Sequence, residues 1–214
     1  TILLILLLSL NVDAKLLQEG WYKVLSANQH VGFIVMRYEF DDKNKVFRAT
    51  TFTQTTALAG NLKESIVAVS TNKLNPKSFN FTTTNGKTSK TIDATFKNRV
   101  MTAKVIENGK PKEIQKRLEK GTFLSSFLVY VMLQDKKGIK VGNNFKYSGI
   151  AEEDAIVSEG RAFVKERVDL NGLQAFKVLN TFKGTRYINH MTDTGVVLTS
   201  EDPVGMLMLQ RAKN

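Results

Sequence analysis

The sequence predicts a mainly β protein of the α+β class. It expects a strongly curled, half-barrel-like antiparallel sheet enclosing one apolar helix at about residues 122–134. Three observations predict it. Apolar and polar residues alternate with period two over most of the chain, the pattern of half-buried strands. Turn pairs rich in Asn, Asp and Gly interrupt the alternation about every ten residues, as in a meandering sheet. One segment, residues 123–133, reads FLSSFLVYVML and breaks the alternation with apolar residues nearly all round.

The elements follow in order. Residues 21–25 (WYKVL) open a strand, and Asn28, Gln29 and His30 form a turn. Residues 31–40 (VGFIVMRYEF) make the second strand. Asp41, Asp42, Lys43 and Asn44 then turn the chain, being residues that bond their own backbone or tolerate left-handed geometry. Residues 46–56 are rich in Thr and Phe, which suit a pleated surface. Residues 62–70 put Ile66, Ala68 and Ser70 on one face and Val67 and Val69 on the other. Asn75-Pro76 breaks the chain before a strand at 78–84. Asn85-Gly86 and Asn108-Gly109 read as hairpin turns that need positive φ at both centres. Strands 88–96 and 99–107 lie between them, joined near Lys97-Asn98.

Segment 123–133 has Thr122 before it as a helix cap and Gly138 beyond it as a stop. A helix apolar all round must be enclosed. Read as a strand, it would be long and without turn residues. The strand pattern then returns at 143–150, 156–168, 175–182, 186–191, 196–199 and 206–210, with turns at Asn171-Gly172, Lys183-Gly184 and Asp193-Thr194-Gly195. A flat sheet covers one side of a helix, so an enclosed helix is expected to sit in a half-open barrel, or a two-layer sheet, wrapped round it. Its interior is expected to hold Phe33, Val35, Phe52, Phe79, Phe81, Phe145, Phe163 and Phe176. Thirteen of the nineteen aromatic residues are Phe, which offers bulk without a polar handle.

Residues 1–10 read TILLILLLSL, and Val12-Asp13-Ala14 follows. This is the apolar region of a secretory signal peptide with small residues before a cut. Residues 1–14 are expected to be removed and 15–214 to form a single domain. The run is shorter than the roughly 20 apolar residues that span a bilayer. An uncleaved anchor is the competing reading. The absence of cysteine excludes disulfides, thiolate metal sites and a cysteine nucleophile. It suits a bacterial periplasm or exterior, with the protein soluble and held by its core alone.

The chain carries 31 Lys and Arg against 20 Asp and Glu, a net charge of +11. Most of the positive residues are Lys spread singly, with denser groups at Lys110, Lys112, Lys116, Arg117 and Lys120 and at Lys136, Lys137 and Lys140. Nucleic-acid binding calls for Arg forks and aromatic platforms, which this pattern lacks. Attraction to an anionic envelope surface is the remaining electrostatic expectation.

Motifs for catalysis are wanting. His30 and His190 are the only histidines, and His190 with Asp193 flanks a turn. Glu152-Glu153-Asp154 lacks the spacing and glycine of a calcium loop. Residues 138–142 (GIKVG) do not form a phosphate-cradling loop, and Ser125-Ser126 has no Gly-x-Ser-x-Gly setting. Those hydroxyls are expected to bond carbonyls of the preceding turn. No catalytic residue, cofactor or metal is therefore expected.

A leader, a basic β chain and one apolar helix between strand sets resemble the periplasmic lipoprotein carriers of the Lol system (LolA- and LolB-like curled-sheet proteins) and related lipid-binding envelope proteins. The ends also resemble bacterial secreted domains, with Trp21, Tyr22, Val31, Gly32 and Phe33 opening and Asp193, Gly195, Val196, Val197, Leu198, Asp202, Pro203, Gly205 and Met206 closing. The resemblance implies a cavity for acyl chains under the sheet. The expected function is non-enzymatic: an envelope protein holding a lipid or other apolar ligand between sheet and helix. The expected contacts are Phe33, Val35, Phe52, Phe127, Tyr130, Val131, Phe163 and Phe176. The alternative is an envelope interaction or scaffold protein with a filled core.

Overall fold

The computed structural model describes residues 14–170 and 172–202, and the backbone of 207–211. The expected leader therefore lies outside the described residues, apart from Ala14, which opens the first strand. Most of the closing Asp-Pro-x-Gly-Met stretch also lies outside them, as does Asn171.

The chain is mainly β. Eight strands precede the central helix: β1 (Ala14–Ser26), β2 (Gln29–Asp41), β3 (Val46–Thr55), β4 (Leu62–Thr71), β5 (Pro76–Asn85), β6 (Thr88–Lys97), β7 (Val100–Glu107) and β8 (Lys110–Arg117). A short β9 (Phe123–Leu124), a 3-10 turn (Ser125–Phe127) and α1 (Leu128–Gln134) form the middle. Then follow β10 (Asn144–Ala151), β11 (Ile156–Leu170), β12 (Leu173–Phe182), β13 (Thr185–Met191), β14 (Val197–Glu201) and β15 (Leu207–Arg211). All join one fifteen-stranded ladder in the order β8-β7-β6-β5-β4-β3-β2-β1-β15-β14-β13-β12-β11-β10-β9. Pairing is antiparallel throughout except between β9 and β10. The ladder ends at β8 and β9 and is open, so the expected half-barrel is not a closed or strongly curled sheet.

Two-residue turns with left-handed backbone make this meander, because their twist matches that of the strands they join. Both central residues have positive φ at Ala27-Asn28, Asn98-Arg99, Asn108-Gly109 and Lys183-Gly184. Asn28 thus belongs to the turn, while Gln29 and His30 already pair in β2. At the β5–β6 hairpin the expected turn moves by one residue: Asn85 pairs with Thr88, and only Gly86 of the Gly86-Lys87 centre has positive φ (57°). The Asp41 turn is held as its composition requires, with the Asn44 backbone N–H (2.9 Å) and Nδ2 (2.7 Å) both donating to the carboxylate. Those bonds hold the Asp41 carboxyl below the usual carboxylate range.

Strand β8 (KPKEIQKR) shows no strand pattern, because Ile114 alone is half-buried in it. Lys110, Lys112, Lys116 and Arg117 of the basic cluster, with Pro111, occupy an outermost strand, where charge and proline discourage further pairing.

The apolar middle differs from a helix over 122–134. Its first residues extend beside β10, with Phe123 opposite Gly149 and Leu124 opposite Ile150. The α-helix proper is seven residues long. Thr122 does not cap it; its hydroxyl reaches Ser148 Oγ at 3.2 Å. The helix stops at Gln134, before Gly138. Polar groups on β10 and in the loop after it provide partners that local sequence does not reveal. The need for enclosure is met, since Phe127 and Met132 are fully buried and only Gln134 is exposed.

Two core clusters grip this segment from opposite halves of the sheet. Phe127, Tyr130 and Leu124 pack with Ala68, Phe79, Phe81, Ile92 and Met101 of β4–β7. Leu128, Val129 and Met132 pack with Phe145, Val164, Phe176 and Val178 of β10–β12. The turn before β14 closes over the helix at Gly195, where φ is +82° and an added Cβ would stand 2.6 Å from Val129 Cγ1 and 2.8 Å from Leu133 Cδ1. Gly195→Ala should therefore cost about 1–3 kcal/mol through overpacking and backbone strain. Thermal unfolding checks this; an unchanged midpoint would show that the turn is not pressed on the helix.

Candidate functional site

Register decides which side chains meet the helix. Paired residues of an antiparallel ladder share a face. Met36, Thr51 and Ile66 form one inward row across β2, β3 and β4, and Tyr38 stands two residues on. The Tyr38 ring meets Tyr130 at 5.1 Å and Phe127 at 6.5 Å between centroids. Its hydroxyl donates to the Ser126 carbonyl at 3.1 Å. On the other half, Val178, Asn189 and Ser200 form an inward row across β12, β13 and β14, next to the Asn180–Tyr187 pair.

Between these rows and the helix segment lies a cavity of about 280 Å³, walled by Met36, Tyr38, Ile66, Leu128, Met132 and Val178 among others. A second of about 290 Å³ lies beside it, walled by Tyr147, Phe182 and Tyr187. Ser125, Leu128, Asn180, Asn189 and Ser200 line both. The combination is apolar flanks with a shared strip of neutral polar groups, and no Lys, Arg or His among the described residues lines either cavity. One carboxylate, Glu153, lines the second cavity; it is ion-paired with Lys183 (2.9 Å), which also pairs with Asp154.

Tyr147 shapes the strip. Its ring lies over Gly160, where a Cβ would come within 2.2 Å of it. So placed, its hydroxyl donates to Asn180 Oδ1 at 2.7 Å. Burial pushes the Tyr147 hydroxyl up to about 12 and keeps it a neutral donor. Asn180 then has its amide N–H groups to spare. Asn189 and Ser200 side chains make no hydrogen bond among the described residues.

One carboxyl lies beneath the first turn of this segment. Glu152 is 1 % exposed. It accepts from Ser125 Oγ (2.6 Å) and from the Ser126 backbone N–H (3.1 Å). Burial raises its pKa above the usual carboxylate range, against those two bonds. The Ser125 hydroxyl thus goes to Glu152 and not to a carbonyl of the preceding turn. The acidic cluster 152–154 is split between this buried role and the Lys183 pairs, and no group of three metal-binding side chains occurs among the described residues.

The eight residues expected to contact a ligand are dispersed. Phe33, Val35 and Phe52 face away from the helix, in rows shared with Lys23, Gln54, Trp21 and Ser65. Phe163 shares that outer face with Leu179 and Ile188. Phe127 is fully buried in the first core cluster, and Phe176 lies buried in the second beneath the Arg167 guanidinium (5.3 Å). Tyr130 packs on Tyr38 and Phe47, and Val131 bridges both clusters. Of the expected interior phenylalanines, Phe79, Phe81, Phe145 and Phe176 are buried as anticipated. Strand β2 is apolar on both faces, so alternation alone could not orient it. The cavity residues that sequence reasoning missed are Met36, Tyr38, Asn180, Asn189 and Ser200. Asn in mid-strand is unfavourable, and that was the available signal.

His190 also lies on the outer face, its Nδ1 2.8 Å from Thr199 Oγ1. Burial and Lys177 hold its pKa below the usual histidine value.

No family model and no curated protein matches this chain. Its structure is similar to the crystal structure of a β-barrel-like protein, a domain of unknown function (DUF1849), from Brucella abortus. The TM-score is 0.63 at 10 % identity, over 90 % of this chain and 93 % of that one. At that identity the likeness shows the fold. No helix among the described residues is long and apolar enough to cross a membrane.

Proposed function

We propose that this chain is a non-enzymatic envelope protein that holds one slender apolar molecule with an uncharged hydrogen-bonding group. The ligand lies between the sheet and residues 125–132, against residues from both halves of the sheet. The observation that carries this is the paired cavity of about 280 and 290 Å³ with apolar flanks and a neutral polar strip. Each cavity is at the lower limit of about 300 Å³ for ligand pockets, which suits a single chain better than a many-chained lipoprotein. Each methylene taken from water contributes about 0.8 kcal/mol. The absence of a cation in the walls disfavours a carboxylate or phosphate head group, while Asn189 and Ser200 offer partners to an amide, ester or hydroxyl. The apolar run of residues 1–10, read as a leader, supports placing this activity in the bacterial periplasm or exterior.

Native mass spectrometry of the purified protein, followed by titration with a fluorescent acyl amide, tests the reading. Added mass or saturable uptake is expected, with Ser200→Phe, which fills the shared wall, weakening uptake at least tenfold. A bare mass and no uptake would leave a scaffold protein with a filled core.

A further inference from the structure

The face of the sheet turned away from the helix carries an aromatic group that the interior does not use. Trp21, Val35 and Phe52 lie in register across β1, β2 and β3. The Phe33 ring sits between those of Trp21 (6.2 Å, stacked) and Phe52 (6.0 Å). Trp21 is 53 % exposed, and Leu16, on the same face of β1, 47 %. An outward cluster of large apolar side chains marks an interaction site rather than a packing need.

The charge around it points to one kind of partner. Lys23 is in register with Phe33, and Lys63 lies two strands further along that row. Arg48 stands on the same face beside Glu39. Arg37 is neutralised locally by Glu19 (3.4 Å) and Glu39 (2.8 Å). Lys23, Lys63 and Arg48 make no ion pair among the described residues. An exposed Trp stacked on Phe beside unpaired cations, on a chain of net charge +11, has the chemistry of an anionic lipid interface. Indole rings settle at the head-group level, and each basic residue near such a surface adds about 1 kcal/mol.

We propose that this outer face of β1–β4 docks on the head groups of an anionic membrane, with Trp21, Phe33 and Phe52 entering the interface and Lys23, Lys63 and Arg48 holding it there. This surface is independent of the cavity, being on the opposite side of the sheet.

Trp21 is the single tryptophan of the chain, so its emission reports the patch directly. Titration with mixed phosphatidylglycerol–phosphatidylcholine vesicles should shift the emission to the blue, and pure phosphatidylcholine should shift it far less. Lys23→Gln and Lys63→Gln should each weaken binding about fivefold, and salt should weaken it further. Phe52→Ser, which keeps the reporter, should reduce the shift. An unchanged emission with no co-sedimentation would overturn the proposal, as would equal binding by the lysine variants. Loss of the shift in Ser200→Phe would assign the signal to lipid taken into the cavity and also overturn it. Concentration-dependent dimers abolished by Phe52→Ser would identify the occupant as a second copy instead.

Discussion

Phe127→Ala is expected to destabilise the protein by about 3–5 kcal/mol, the range for removing a buried phenyl ring. Phe127 is fully buried, with the rings of Phe47 at 6.4 Å and Tyr38 at 6.5 Å, both edge-on. It belongs to the cluster that joins β3–β7 to the helix segment. Losing it opens a void at the seam between the two halves of the sheet, where neither half can collapse without moving the segment. Against a total stability of about 5–15 kcal/mol for an ordinary domain, this is a large fraction. Urea unfolding measures it through the midpoint at constant slope. A loss below about 1 kcal/mol would mean that the segment is not a structural seam, and the cavity beside it would lose its rigid wall.

The second large effect is set by pH at Glu152. Its carboxyl is raised in the fold, first by burial, against the stabilising bonds from Ser125 and Ser126. A carboxyl with a higher pKa folded than unfolded binds more protons in the native state. Its contribution is therefore complete below the unfolded value near 4.5 and is lost as pH rises through the folded one, at up to about 1.4 kcal/mol per pH unit. Glu152→Gln keeps an acceptor for the Ser125 hydroxyl and removes the titration. The difference in stability between wild type and Glu152→Gln should thus change with pH above 4.5 in favour of the variant, measured by urea unfolding across pH. Parallel curves would rule out a perturbed carboxyl. Glu152→Ala also removes the titration but strands the Ser125 hydroxyl and Ser126 N–H, so it should be about 1–3 kcal/mol less stable than Glu152→Gln at every pH.

Both effects concern residues whose types were plain in the sequence but whose surroundings were not. Phe127 stood out as part of an apolar run. Its partners Tyr38 and Phe47 come from strands some eighty residues away, and only the fold brings them there. Glu152 read as one of three loop acids. Nothing local distinguishes it from Glu153 and Asp154, which face Lys183. The separation is made by β9, which runs beside β10 and places Ser125 and Ser126 over a single carboxyl.

The candidate site was less legible than the fold. Aromatic bulk directed attention to Phe33, Phe52 and Phe163, which lie on the outer face. The cavity is walled instead by Met36, Tyr38, Asn180, Asn189 and Ser200. Period two assigns residues to two faces without naming the inner one, and a strand apolar on both faces, as β2 is, leaves the choice to the sheet as a whole.

By itself the sequence determined the mainly β class, the turns that order the meander and the single apolar segment that must be enclosed, because alternation, turn chemistry and all-round hydrophobicity act over a few residues. The tertiary structure alone decided how much of that segment is helical, which face of each strand it meets, and where a carboxyl can be buried. Those outcomes depend on ladder registers between strands distant in the chain, and no local preference carries that information.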